Sequence, residues 1–145
     1  MNLTFRLLRE GASVPVRATE YSAGLDLSAC LTEDTVIPPH EIRLIPTGLA
    51  AALDEPEAML MICARSGLST KHGITMANGI GVVDTDYRGE LCVPLINHSD
   101  VPFTVTNGLR IAQLIAVPVY MPDILTAETL PDTQRGAGGF GSTGA

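Results

Sequence analysis

The sequence predicts an all-β domain, a sandwich or barrel of many short strands. Its apolar runs are short, rich in Val, Ile and Leu, and broken by Gly, Pro, Asn or Asp roughly every eight to twelve residues. Helical periodicity is scarce. Fourteen Gly and ten Pro in 145 residues exceed the combined average of about 12 %, as a turn-rich β protein requires.

The elements follow from the runs and the breaks between them. Strands are expected near residues 3–8, 25–31, 42–47, 58–64, 80–84, 90–96, 101–106 and 111–119. Pro38-Pro39, Asp54-Glu55-Pro56, Asn97-His98-Ser99-Asp100 and Asn107-Gly108 supply turns between them. One helix is expected, capped by Ser66, running to His72 and stopped by Gly73. Residues 48–58 are ambiguous by propensity, but Gly48 and Pro56 leave little room for a helix. No internal repeat or linker is visible. The last eleven residues, from Arg135, hold five Gly and cannot build a core element; alone they read as a disordered tail.

Composition narrows the function. The length points to one domain, and 46 % hydrophobic residues suffice for a core. A net charge of −7 and a pI near 4.7 exclude the basic footprint of a duplex nucleic-acid binder. The acidity is localised: residues 30–63 carry six acids and one base, and residues 123–145 three acids and one base. Eight of the nine basic residues are Arg, the side chain suited to bidentate phosphate contacts. No apolar run is long enough to span a bilayer and the start shows no signal peptide, so neither a membrane nor export is expected and the location expected is cytoplasmic. Cys30, Cys63 and Cys92 are odd in number and form no CxxC pair, which argues against disulfides and zinc ribbons and for three buried thiols. His40, His72 and His98 are equally scattered.

Several motifs compete with plainer readings. Gly139-Phe140-Gly141-Ser142-Thr143-Gly144 matches G-x-G-x-x-G literally, but the sequence given ends where a dinucleotide fingerprint needs a helix. Ala64-Arg65-Ser66-Gly67-Leu68 sets an arginine, a hydroxyl and a glycine at the start of the expected helix, suiting either an anion site or ordinary capping. Asn78 to Glu90 looks like a β-hairpin crowded with two acids, an aromatic and an arginine, either a functional cluster or a solvated tip. Arg110 and Gln113 interrupt an apolar strand and need partners there, a salt bridge being the plain reading for such a position.

Taken in order, five stretches resemble the motifs of the homotrimeric deoxyuridine triphosphatases (dUTPases). They are Ala23-Gly24-Leu25-Asp26-Leu27; Ala64 through Gly73; Asn78 through Leu91; Gly108 through Ile115; and Arg135 through Gly144. Five motifs in register across nearly the whole chain are far more specific than any one. Many members have Pro where Ala64 stands and Ala where Ser69 stands, which bears on loop rigidity before Arg65 and not on chemistry.

The resemblance implies a distorted jelly-roll (β-clip) sandwich-barrel with one short helix, assembling as a homotrimer. It implies a β domain over residues 1–132 and a flexible lid over 133–145 that closes on a neighbouring subunit's site. The implied reaction is hydrolysis of dUTP to dUMP and pyrophosphate, with Mg²⁺, by attack of water on the α-phosphorus. It supplies dUMP and keeps uracil out of DNA. Asp84 would activate the water. Arg65, Ser66, Gly67 and Gln113 would contact phosphates, and Arg135 the outer ones. Asn78, Val82, Val83 and Cys92 would line a uracil slot that reads the base with main-chain groups. Tyr87 would exclude a 2′-hydroxyl, and Phe140 would close over the uracil ring. Asp26 would either reach the metal through water or pair with a basic residue inside. Partners other than dUTP and further copies of the chain are not implied. The rival readings are a dCTP deaminase-type relative, for which a catalytic Glu is expected, and a non-catalytic dUTP-binding or signalling trimer.

Overall fold

The structure is a computed structural model and describes residues 1–139. Among these, eleven strands and one helix follow in the order β1 (Leu3–Leu7), β2 (Leu25–Ser28), β3 (Thr35–Ile37), β4 (Ile42–Pro46), β5 (Leu49–Leu53), β6 (Ala58–Ala64), α1 (Ser66–His72), β7 (Ile74–Met76), β8 (Gly81–Val83), β9 (Cys92–Asn97), β10 (Phe103–Val105) and β11 (Arg110–Pro118). They form four antiparallel sheets, ordered β1-β5, β10-β3, β2-β11-β6-β8 and β4-β9-β7. The all-β class with a single short helix is as expected.

Alternation builds the core. Ala58, Leu60 and Ile62 of β6 point inward, as do Val93 and Leu95 of β9 and Leu114 of β11. Leu27, Ile37, Ile45, Leu49, Ile74 and Ile111 belong to the same contiguous cluster. Buried Asn97 is fully satisfied: its amide donates to Ile37 O (3.0 Å) and Val101 O (2.7 Å), and Oδ1 accepts from Ser99 N–H (2.9 Å) and Oγ–H (2.8 Å). The expected turn at 97–100 is therefore also a core plug.

Three strands were not expected. β3 and β7 have three residues each, too few to show a period. β5 is Leu-Ala-Ala-Ala-Leu, a helix-prone composition, yet it pairs with β1 from Leu3↔Leu53 to Leu7↔Leu49. Its small residues let four of its five positions be buried, so tertiary packing overrides propensity. β2 ends at Ser28 rather than at 31 because the chain turns away: Cys30 N–H donates to Pro46 O and Leu31 N–H to Asn107 Oδ1.

The expected helix is present, but Ser66 does not cap it. Arg65 is the N-cap residue, extended at φ −90°, with no side-chain cap bond, and Ser66 is already helical. Gly73 stops the helix as expected, in the left-handed region at φ 67°. Ser69 ties the helix down instead, its hydroxyl lying 3.2 Å from both Arg65 O and Ile74 O. The expectation of three buried thiols fails: Cys30 is buried, whereas Cys63 and Cys92 are only half-buried. Among the described residues no helix is long and apolar enough to cross a membrane. Beyond β11 the chain runs exposed, with Tyr120 at 99 %, Ile124 at 93 % and Leu130 at 85 % exposure.

Candidate functional site

Two cavities gather the predicted residues. The first arises where the chain divides between sheets. β7 pairs with β9 (Ile74↔Asn97 to Met76↔Leu95), and Ala77 N–H extends the pairing to Pro94 O at 2.8 Å. The chain then turns at Gly79, φ 73°, and β8 joins β6 instead (Leu60↔Val83, Met61↔Val82, Ile62↔Gly81). The expected hairpin over 78–90 is thus not a pair of bonded arms. β8 sits at the edge of one sheet and β9 in the middle of another. An apolar residue pattern shows strands but not which neighbour each takes.

The gap left between them is a cavity of about 250 Å³ lined by Asn78, Val82, Val83, Asp84, Tyr87 and Cys92, together with Ile62, Met76, Gly81, Glu90, Leu91 and Pro94. As an edge strand, β8 leaves one row of main-chain N–H and C=O groups without a strand partner. Gly81 permits the close approach to β6, since a Cβ there would stand 3.1 Å from Ile62 Cβ. Tyr87 folds back over Gly89 and donates its hydroxyl to Glu90 O at 3.1 Å. Tyr87 N–H donates to Asp84 O at 3.1 Å, holding the turn while the Asp84 side chain stays at the exposed rim. Burial, and then the Glu90 carboxylate, push the Cys92 thiol above its ordinary range.

The second cavity, about 350 Å³, lies at the start of α1 and is lined by Asp26, Arg65, Ser66, Gly67, Arg110 and Gln113, with Ala18 and Ser22 to Gly24. Asp26 bridges two guanidiniums: Arg65 Nε donates to Oδ1 at 2.9 Å and Arg110 Nη1 to Oδ2 at 3.0 Å. Arg65 Nη1 also donates to Arg110 O at 3.2 Å. The expected interior pairing of Asp26 is therefore present, and Arg110 makes the salt bridge its position required. Two cations against one carboxylate leave a net positive charge. Gln113, opposite Asp26 on β2 and opposite Cys63 on β6, donates to Ala64 O at 3.0 Å. In the first turn of α1, Leu68 N–H is taken by Arg65 O at 3.1 Å, while the amides of Ser66 and Gly67 come before any i−4 carbonyl of the helix. Beside Gly67 nothing stands within 4 Å of a built Cβ, so the approach is open. These are the ingredients of an anion site.

The two cavities share no lining residue. β2, carrying Asp26, and β8, leading into Asp84, are opposite edges of the same four-stranded sheet, about 14 Å apart at ordinary strand spacing. Arg135 lines neither cavity; it is exposed in a turn closed by Gly138 N–H to Arg135 O at 3.1 Å. Phe140 lies outside the described residues.

The dUTPase family model matches residues 10–144. The chain belongs to the dUTPase family. A deoxyuridine 5'-triphosphate nucleotidohydrolase of Pseudomonas entomophila (strain L48) is 50 % identical over 131 residues, covering 90 % of this chain and 87 % of that one. A mutant dUTPase of Staphylococcus bacteriophage 80alpha with dUpNHpp superposes at a TM-score of 0.90 with 26 % identity over 99 % of both chains. A mutant dUTPase from phage phi11 of S. aureus, described as revealing the coordination of a structural Mg(II) ion, gives 0.81 at 25 % identity over 91 % of this chain and 100 % of that one.

Within this dUTPase chain, sequence reasoning had given no role in a site to Gly24, Glu90 or Arg110. Gly24 is needed because a Cβ there would lie 2.4 Å from Gln113 Oε1 and 3.2 Å from its Cβ. Glu90 stood among the polar residues of the expected tip, with no local signal that its partners are 42 and 81 positions away.

Proposed function

We propose that this protein hydrolyses dUTP to dUMP and pyrophosphate, with Asp84 as the group that orients and deprotonates the attacking water. The observation that carries the reading is the division of one sheet: a base-sized slot with Asp84 at its rim on one edge, a cationic pocket on the other. Water is a poor nucleophile, and an exposed carboxylate beside the bound α-phosphate can take its proton. Arg65, Gln113 and the α1 entrance at Ser66 and Gly67 bind the phosphates, and Arg110 adds charge there. Arg135 reaches the outer phosphates from the tail.

The slot recognises uracil through the unpaired main-chain row of β8, beside Asn78 and Cys92. Uracil's N3–H and O4 present a pattern that cytosine inverts, and a wrong base leaves buried groups unpaired. Val82 and Val83 narrow the slot against a 5-methyl group, and the Tyr87 ring excludes the 2′-hydroxyl.

The donor set fits Mg²⁺ bound through the substrate. Among the described residues no group of three or more His, Cys, Asp or Glu is placed to cage a metal, and Mg²⁺ commonly takes one or two carboxylates, with waters and phosphate oxygens. Asp26, the carboxylate of the cationic pocket, would reach it through water. Bound there, the ion neutralises charge on the triphosphate.

Half-sites at opposite sheet edges suit a ring of three chains in which one copy's slot meets a neighbour's cationic pocket. The exposed apolar arm, with Tyr120, Ile124, Leu125 and Leu130, suits a segment that lies on another copy. Residues 133–145 then act as the lid, Phe140 covering the base. The setting we infer is cytoplasmic, without a nucleic-acid or membrane partner.

The test is pyrophosphate release from dUTP, dTTP, dCTP and UTP with Mg²⁺. Far faster turnover of dUTP, sharply reduced by chelation, is expected. Comparable turnover of dTTP or UTP overturns the specificity reading, and ammonia release from dCTP favours a deaminase.

A further inference from the structure

We propose that Arg9, which lies outside all five motifs, is a positioning residue for sugar selection that acts through Glu90. The proposal rests on the reading of Tyr87 given above. The loop from Asp84 to Leu91 leaves β8 and returns to β9, and its anchors to the rest of the chain lie at its end. Glu90 is the junction. Its Oε2 accepts from Arg9 Nη2 at 2.5 Å, its Oε1 from Gly48 N–H at 2.8 Å, and its carbonyl from the Tyr87 hydroxyl at 3.1 Å. Neighbouring Leu91 is held on both sides, its N–H donating to Leu49 O (2.7 Å) and its carbonyl accepting from Thr47 Oγ1–H (2.6 Å).

Arg9 is the only side chain outside the β4–β5 turn and the loop itself that bonds to this junction among the described residues, and its place is fixed by Leu8 N–H donating to Gly48 O at 2.8 Å. The Glu90 side chain is 21 % exposed and that of Arg9 41 %, so the pair is partly shielded from solvent. The Glu90 residue also lines the base slot. Without Arg9 its carboxylate keeps one amide partner and gains freedom to turn. The Glu90 carbonyl that holds Tyr87 shares a peptide plane with Leu91 N–H, which is bonded to Leu49 O, so it moves when the junction as a whole opens. With the Arg9 bond gone that opening is more frequent, and the ring loses its fixed place.

Three variants test this. Arg9→Gln removes the charge, Arg9→Lys keeps it, and Glu90→Gln keeps an acceptor for Gly48 while removing the ion pair. For each, kcat/KM is measured with dUTP and UTP, amide hydrogen exchange of residues 84–91 is followed without nucleotide, and melting is recorded. Arg9→Gln and Glu90→Gln are expected to lower the dUTP:UTP ratio about fivefold, the scale of one partly exposed ion pair, with faster exchange in the loop. Arg9→Lys restores most of both. Wild-type exchange in Arg9→Gln overturns the latch, whatever the enzyme does with nucleotides. Faster exchange with an unchanged ratio overturns the role in sugar selection. A wild-type protein inactive on dUTP overturns the hydrolysis reading instead, while the exchange measurements still decide the latch.

Discussion

Asp84 and Cys92 stand on the same slot but in opposite surroundings. Asp84 is exposed at the rim, where it stays available to water. Asp84→Asn should leave the fold and dUTP affinity nearly unchanged while lowering kcat by about 10²–10⁴-fold, the range for a general base. Titration of dUTP binding beside single-turnover kinetics checks it, and a wild-type kcat would remove Asp84 from the mechanism. Cys92 is half-buried and its thiol is pushed up by burial and by Glu90. Because its folded pKa lies above its unfolded one, the stability it contributes is intact below the ordinary thiol range. That contribution is lost as pH rises through the folded value. Iodoacetamide should therefore alkylate Cys92 more slowly than glutathione at pH 8, and slower still with a dUTP analogue bound. Reaction as fast as glutathione would mean a wet slot.

At the scale of elements, the loop between β8 and β9 matters more than either strand. Gly89 lies under the Tyr87 ring, and a Cβ there would come within 2.3 Å of the hydroxyl and 2.5 Å of Cζ. Gly89→Ala must therefore swing the ring away and break its bond to Glu90 O. It should narrow the gap between dUTP and UTP in the same direction as Tyr87→Ala, by a smaller factor. Equal loss on both nucleotides in Tyr87→Ala would make the ring structural. The strands themselves were legible where alternation is long, as in β6, β9 and β11. They were illegible where a strand has three residues or, like β5, is Ala-rich and defined by its partner β1.

For the whole molecule, separation of the two half-sites makes a quantitative prediction. Asp84→Asn protein with its tail, and a second protein truncated after Asp132 with Asp84 intact, should each be nearly inactive. A mixed three-membered ring contains one junction between an intact slot and an intact tail from the correct neighbour. Random equal mixing makes about three-quarters of rings mixed, so co-refolding should restore roughly a quarter of the wild-type activity. Mixed trimers, confirmed by mass, that stay as inactive as the parents would place slot and tail on one chain.

The sequence by itself determined what local chemistry encodes. Turn residues marked the breaks, Gly73 marked the helix end through its left-handed backbone, and five motifs identified the family. Tertiary structure alone decided who meets whom. Asp26 joins Arg65 across 39 positions and Arg110 across 84, and Glu90 joins Arg9 across 81. The separation of β8 from β9, which opens the slot, was likewise hidden. The physical reason is common to all of these. Periodicity and turn propensity report a residue's own backbone, whereas the edge a strand joins, and the cation a carboxylate finds, are set by how whole sheets bury their apolar faces.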